Sequence, residues 1–404
     1  MRRIDELESR LQALVPEPSR GERMLREASV SAVLDRPLSE SVVGIKDVIR
    51  LEGLPTGAGS AVPPEVFAGP EASCVTALRE AGAVFLGKTV TAEFASSAPG
   101  PTRNPRNLAH TPGGSSSGSA AAVAAGYCQF AIGTQTIGSV IRPAAFCGIV
   151  GFKPTYGRIP IDGVVMNAPS FDTLGILAAS VSWSALASSV LCTGWVPALA
   201  DIRQPVIAVP EGPYLQQAGE EARAAFEAQV AVLEKAGYSV RRVPVMPDIE
   251  EINRRHRVIN RVQFARQHAD WFPRYGDRYR PATVETILAG QQVPEAEYAA
   301  ACDRHPSLRS ELCAAMAAEG IDLWACPAAT GPAPRGIEST GDPIMNLPWT
   351  HAGMPALTLP AGQAANGLPL GLQLVAAPQA DEYLLAWGAA MEPVLRPAPA
   401  MADS

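Results

Sequence analysis

TPGGSSSGSAAAVAAGYCQFAIGTQTIGSVIRPAAFCGIVGFKPTYG, residues 111–157, decides how this chain reads. Gly113, Gly114 and Gly118 let the backbone approach a ligand and take positive φ, and the serines between them supply short hydroxyls. The loop runs straight into an Ala-rich helix, whose exposed N–H groups favour a developing negative charge, and then into an apolar strand. A flexible Gly/Ser linker, the bland reading of the same letters, does not lead into so compact a helix. After the strand a polar turn ends on Ser139, a layout similar to a nucleophile elbow although G-x-S-x-G is absent. An amide carbonyl attacked by Ser139 would place its oxyanion among the N–H groups of Thr136, Ile137 and Gly138, each donor contributing roughly 3 kcal/mol.

A serine nucleophile needs a base, and neither segment contains a histidine; the nearby His110 sits in a polar loop and reads as structural. Lys46 is the remaining candidate, inside the apolar run SVVGIKDVI (41–49), where burial depresses a lysine's pKa. Moving a lysine from about 10.4 to roughly 7–8 takes about 3–4 kcal/mol, which burial supplies. The alternative is a strand-end lysine that snorkels to solvent and pairs with Asp47.

Outside these segments, short apolar runs alternate with helical stretches over 40–190, and PVIAVPEG, a long helix and YSVRRVPV repeat the alternation over 205–245. Apolar runs return from Leu323 onward (LWACPA, ALTLPA, GLQLVA). That order predicts an α/β chain: a mixed, twisted central sheet covered by helices on both faces. Residues 247–318 carry helical spacing and no clear strand, and are expected to form a helical excursion covering the site. No repeat or linker divides the chain, so 1–404 is read as a single domain with its catalytic core at 44–182.

Composition restricts the function classes. The 404 residues are 47% hydrophobic and 18% charged, enough to bury a large core. A net charge of −7 argues against nucleic acid and against an anionic membrane as partners, leaving a small soluble substrate. The charged start MRRIDELESRLQ reads as an amphipathic helix rather than an export signal, and no apolar run reaches spanning length, so a cytoplasmic location is expected. Seven scattered cysteines without C-x-x-C, and five histidines without ligand spacing, predict no metal and no cofactor.

Taken together, GIKD (44–47), GGSSSGS (113–119) and GTQTIGS (133–139) resemble the amidase signature family, whose pattern runs G-x-K-D, G-G-S-S-G-G-S and G-T-D-T-G-G-S-x-R-x-P. LREAGAVFLGKT (78–89), SFDTLGILAASV (170–181) and GLPLGLQLV (367–375) add to the likeness. The resemblance implies Ser139 as acyl-forming nucleophile, Ser115 as a bridging serine beside an unusual cis peptide, and Lys46 as the ultimate base. It also places Ser116 in the oxyanion-side network, with Gly114 and Ser116 beside the substrate.

Three positions depart from the pattern. Gln135 stands where Asp is common, Ile141 where Arg is usual with Arg142 following, and Ile137 where most relatives have Gly. The first two, with an STGDP loop at 339–343, look like the bacterial malonamidase branch, in which the arginine three after the nucleophile holds a substrate carboxylate. Arg142 occupies that place; a structural salt bridge is its alternative. At Ile137 a β-branched side chain would be strained if φ is positive.

The expected function is hydrolysis of a small amide, malonamate-like if Arg142 binds a carboxylate, by a Ser-Ser-Lys acyl-enzyme mechanism in a homodimer. The alternatives are a glutaminase-like subunit of a tRNA-dependent amidotransferase complex, and a catalytically dead binding protein.

Overall fold

In the computed structural model, residues 2–33, 35–197 and 202–395 are described. Ten strands form one mixed sheet: β1 Val42–Lys46, β2 Val84–Thr89, β3 Phe130–Gln135, β4 Val150–Lys153, β5 Thr173–Ala178, β6 Val206–Glu211, β7 Ser239–Pro244, β8 Leu323–Pro327, β9 Ala356–Gln363 and β10 Pro369–Ala376. Their order is β2-β1-β3-β5-β4-β9-β10-β8-β6-β7. β1 lies parallel between β2 and β3, with Ile45 opposite Ile132. Parallel strands place their carboxyl ends at one edge of the sheet, where open α/β sheets bind ligands. Lys46, at the end of β1, and the turn that follows β3 therefore meet at that edge.

The middle of the sheet is buried on both faces, which is why β3, β4 and β5 have no exposed residue. β4 and β5 enter antiparallel, between β3 and β9. The sequence reading did not place them as strands: VGFK is four residues long and is stopped by Pro154, too short for period-2 alternation to show. Helices flank the sheet, so the α/β expectation matches the architecture. Helices also cover Ile249–Gln267, Pro281–Gln291, Glu295–Arg304 and Ser307–Glu319. Among the described residues no helix is long and apolar enough to cross a membrane.

The Ala-rich helix Ser117–Ala124 packs directly on β3, with Ala120, Ala121 and Ala122 fully buried. Small side chains allow that close approach. Gly118 is the tightest point, because a Cβ there would collide with the Ala13 carbonyl and the Val90 amide. Gly118 N–H itself donates to Val90 O at 2.9 Å. Gly118→Ala is therefore expected to destabilise the chain toward the upper end of the roughly 1–3 kcal/mol that overpacking costs, read as a lower melting temperature. Unchanged melting would show that the helix can shift without cost.

Candidate active site

Lys46 is fully buried, so it does not snorkel. Nor does it pair with Asp47, whose carboxylate meets Lys88 Nζ at 2.9 Å. The Lys46 amine lies 2.8 Å from Ser115 Oγ and 2.7 Å from Thr134 Oγ1. Burial lowers its pKa to about 7, against the opposing pull of Asp172. Asp172 is raised to about 6 by the same burial, although it accepts from Thr136 Oγ1 at 2.5 Å and from the Asn167 and Ala168 N–H groups at 2.7 and 2.9 Å. The site thus contains two buried ionisable groups whose charged forms are both disfavoured.

The Gly114–Ser115 peptide is cis and Gly113 has φ +82°. Ser115 carries its hydroxyl into a cavity of about 400 Å³ that also contains Ser139 and the Thr136–Gly138 turn. Ser139 is only 8% exposed, and its hydroxyl bonds to no described residue. Among the described residues the Thr136, Ile137 and Gly138 N–H groups have no acceptor either. Ser139 and these three N–H-bearing residues consequently line the same space. Gly114 and Ser116 do not line it. Ser116 is fully buried, with its hydroxyl against the Thr134 main chain at 3.3 and 3.4 Å, and the Gly114 carbonyl is engaged by Arg142.

Gln135 sets the turn. Its Oε1 accepts from Val140 N at 2.9 Å and Ile141 N at 3.0 Å, while its Nε2 donates to Thr350 Oγ1 at 2.9 Å. Thr350 then donates to Ile137 O at 2.7 Å. A carboxylate at 135 has no N–H to give, so an amide suits this network. Ile137 is not among the residues with positive φ, so the strain considered for a β-branched side chain there does not arise; it lines the cavity instead.

Arg142 is held by hydrogen bonds rather than by the salt bridge considered for it. Nε donates to Thr340 O at 2.8 Å, and Nη2 to Gly114 O at 2.7 Å and Thr340 Oγ1 at 3.1 Å. Nη1 is buried without a partner. Burial lowers the pKa to about 10, opposed by Asp342, so the group stays charged at neutral pH. Its anchor, Thr340, belongs to the STGDP loop.

No histidine lines the cavity. His256, His305 and His351 gather around Phe171, all with pKa values lowered by burial first. His110 caps a loop through Ala333 O. Among the described residues no three His, Cys, Asp or Glu side chains are grouped to hold a metal. A larger cleft of about 1210 Å³, bordered by Gln12, Val90 and Pro281, contains none of these serines or Lys46.

The Amidase family profile matches residues 1–385. The chain belongs to the amidase family. It is similar to a glutamyl-tRNA(Gln) amidotransferase subunit of Koribacter versatilis, 32% identical over 89% of this chain and 86% of that protein. A solved amidase superposes with a TM-score of 0.89 at 31% identity, covering 98% of this chain and 94% of that one. The native peptide amidase of Stenotrophomonas maltophilia gives 0.83 at 28% identity, over 98% and 92%. The family and its C–N hydrolase chemistry are thereby established for this amidase; the malonamidase branch is not.

Sequence reasoning passed over Thr134 and Asp172, although both stood in quoted segments, because nothing local marks a threonine 88 residues from Lys46, or an aspartate still further along the chain, as acting on that lysine. Asp172 allows a test through pH. Its charge raises the Lys46 pKa, so Asp172→Asn lowers it further. A reaction that needs neutral Lys46 rises through the lysine pKa, and the limb of log kcat/KM is expected to move to lower pH in the variant. A limb that stays in place or moves to higher pH would show that Lys46 is not the group it reports.

Proposed function

We propose that Ser139 forms an acyl-enzyme with a small amide and that Ser115 carries protons between Ser139 and Lys46. The observation that supports this most is the buried Lys46 amine 2.8 Å from Ser115 Oγ, beneath the cavity that contains Ser139. With Lys46 neutral, the Ser115 hydroxyl donates to Nζ. As Ser139 attacks, its proton moves to Ser115 and that of Ser115 to Lys46; the carbonyl oxygen, now negative, meets the N–H groups of Thr136, Ile137 and Gly138. Ser115 returns the proton to the leaving amine, the C–N bond breaks, and water releases the acid through the same relay reversed.

The acyl side of the proposed substrate carries a carboxylate, because the unpartnered Nη1 of Arg142 is a buried cationic donor at the cavity wall. Two substrates meet that description. The comparisons favour glutamine, and with it the glutaminase-like subunit of a tRNA-dependent amidotransferase complex, over the malonamate-like amidase acting as a homodimer: relatives 29–34% identical across most of their length carry the name of such a subunit.

Ammonia release by the purified chain is the test. Ser139→Ala is expected to lose turnover by roughly 10⁴-fold or more, Ser115→Ala and Lys46→Ala to remain slow enzymes, and the double variant to lose little beyond the worse single one. Full activity in Ser139→Ala would end the proposal. Glutamine hydrolysis that appears only with partner subunits supports the subunit reading, whereas malonamate hydrolysis by the chain alone supports the other.

Arg142→Lys keeps the charge and cannot reproduce the three hydrogen bonds to Gly114 and Thr340. In Arg142→Ala, which removes the charge as well, kcat/KM is expected to fall more on malonamate than on the neutral propionamide, with the excess within the roughly 2–5 kcal/mol associated with an unpaired buried charge. Equal losses on both amides would leave Arg142 a purely structural residue.

A further inference from the structure

We infer that Arg257 and Arg261 form a second anion-binding wall of the catalytic cavity, so that a ligand with a further acidic group binds more tightly than one that lacks it. This rests on the proposed reading of that cavity as the amide site. Both arginines lie on the helix Ile249–Gln267, and with Asn260 they occupy one face at i, i+3 and i+4 spacing that lines the cavity. The helix bears three further arginines, each with a carboxylate partner: Arg254 with Glu251 and Glu297, Arg255 with Asp248 and Glu251, and Arg266 with Glu295. Arg257 and Arg261 have neither an ion pair nor a side-chain hydrogen bond among the described residues. On this helix, then, the guanidiniums that face the cavity are the unpaired ones.

Their position is held from below. Asn260 Nδ2 donates to Asn167 Oδ1 at 2.7 Å, and Gln263 exchanges hydrogen bonds with Ser170, Nε2 to Oγ at 2.6 Å and Ser170 N to Oε1 at 2.9 Å. Asn167 and Ala168 in turn hold Asp172, and Asp172 holds Thr136. The arginine-bearing face is thus tied to the loop that presents the oxyanion donors. Counting Arg142, three guanidiniums line the cavity against one carboxylate, Glu338. Planar guanidiniums suit carboxylates. Glu338 remains to pair with the ammonium of an amino-acid amide such as glutamine, so the arginine wall adds affinity for a further acidic group without excluding that substrate.

The test is calorimetric binding of two amide-free probes, succinate and tricarballylate, to the wild-type chain and to Arg257→Gln/Arg261→Gln. Both arginines are exposed, so solvent screens them and the effect is moderate. Tricarballylate is expected to bind the wild type roughly three- to tenfold tighter than succinate, less so at high salt, and the double variant to bind the two within about twofold at an unchanged melting temperature. The single variants, each keeping one guanidinium, should fall between and serve where the double variant does not fold. No preference in the wild type, or a preference the variants keep, overturns the inference. Loss of the preference in the variants of a chain that hydrolyses no amide would support the anion wall while removing the amidase reading.

Discussion

The contact between Lys46 Nζ and Ser115 Oγ places a cationic side chain where no solvent reaches it, and much of the surrounding structure answers that constraint. A pKa lowered from 10.5 to about 7 corresponds to roughly 5 kcal/mol of disfavoured charge. The amine's near neighbours are the hydroxyls of Ser115 and Thr134, which serve a neutral amine as well as a charged one, with the Thr134 carbonyl farther off at 3.5 Å. The nearest carboxylate along the chain, Asp47, is taken up by Lys88 and Gly57 instead. The opposing charge that does act on Lys46, Asp172, is itself held back by burial. Parallel pairing of β1 with β3 makes the arrangement possible, since it brings the end of one strand to the turn after the other.

That geometry explains what was legible from residues alone. Lys46 stood out because an apolar run surrounds it, and the Gly/Ser loop stood out because its glycines are spaced for close approach; Gly113 and Gly118 do occupy positions that a Cβ would strain or block. The outer strands followed from apolar runs bounded by Gly and Pro. What stayed hidden depends on contacts between distant segments. Asp172, Thr134 and Thr340 are ordinary polar residues until the fold brings them to Lys46, Thr136 and Arg142. Gln135 read as a departure from a family pattern, yet in three dimensions its amide both accepts and donates, which a carboxylate at that place cannot do.

Arg142 shows why assigning one role to one residue fails here. Its Nε and Nη2 hold the Gly114 carbonyl and Thr340, and so brace the cis peptide that presents Ser115. The same planar group leaves Nη1 unpartnered. A guanidinium performs both tasks because its five donors point in fixed directions, so three can be spent on the scaffold while the rest remain for a ligand. A lysine would have to choose.

The comparisons and the charges in the cavity bear on different parts of the substrate. Likeness to amidotransferase subunits and to solved amidases concerns the C–N bond, and the buried serine–lysine arrangement accords with it. Identity near 30% leaves the walls free to differ, and the walls decide what is attached to that bond. Here they are Arg142 from the turn after the nucleophile, Thr340 and Glu338 from a loop late in the chain, and Arg257 and Arg261 from a helix pinned to the loop that contains Asp172. Three elements far apart in sequence thus set the charge of one cavity, and of their arginines Arg257 and Arg261 stand apart from the Gly114 carbonyl that Arg142 holds beside Ser115.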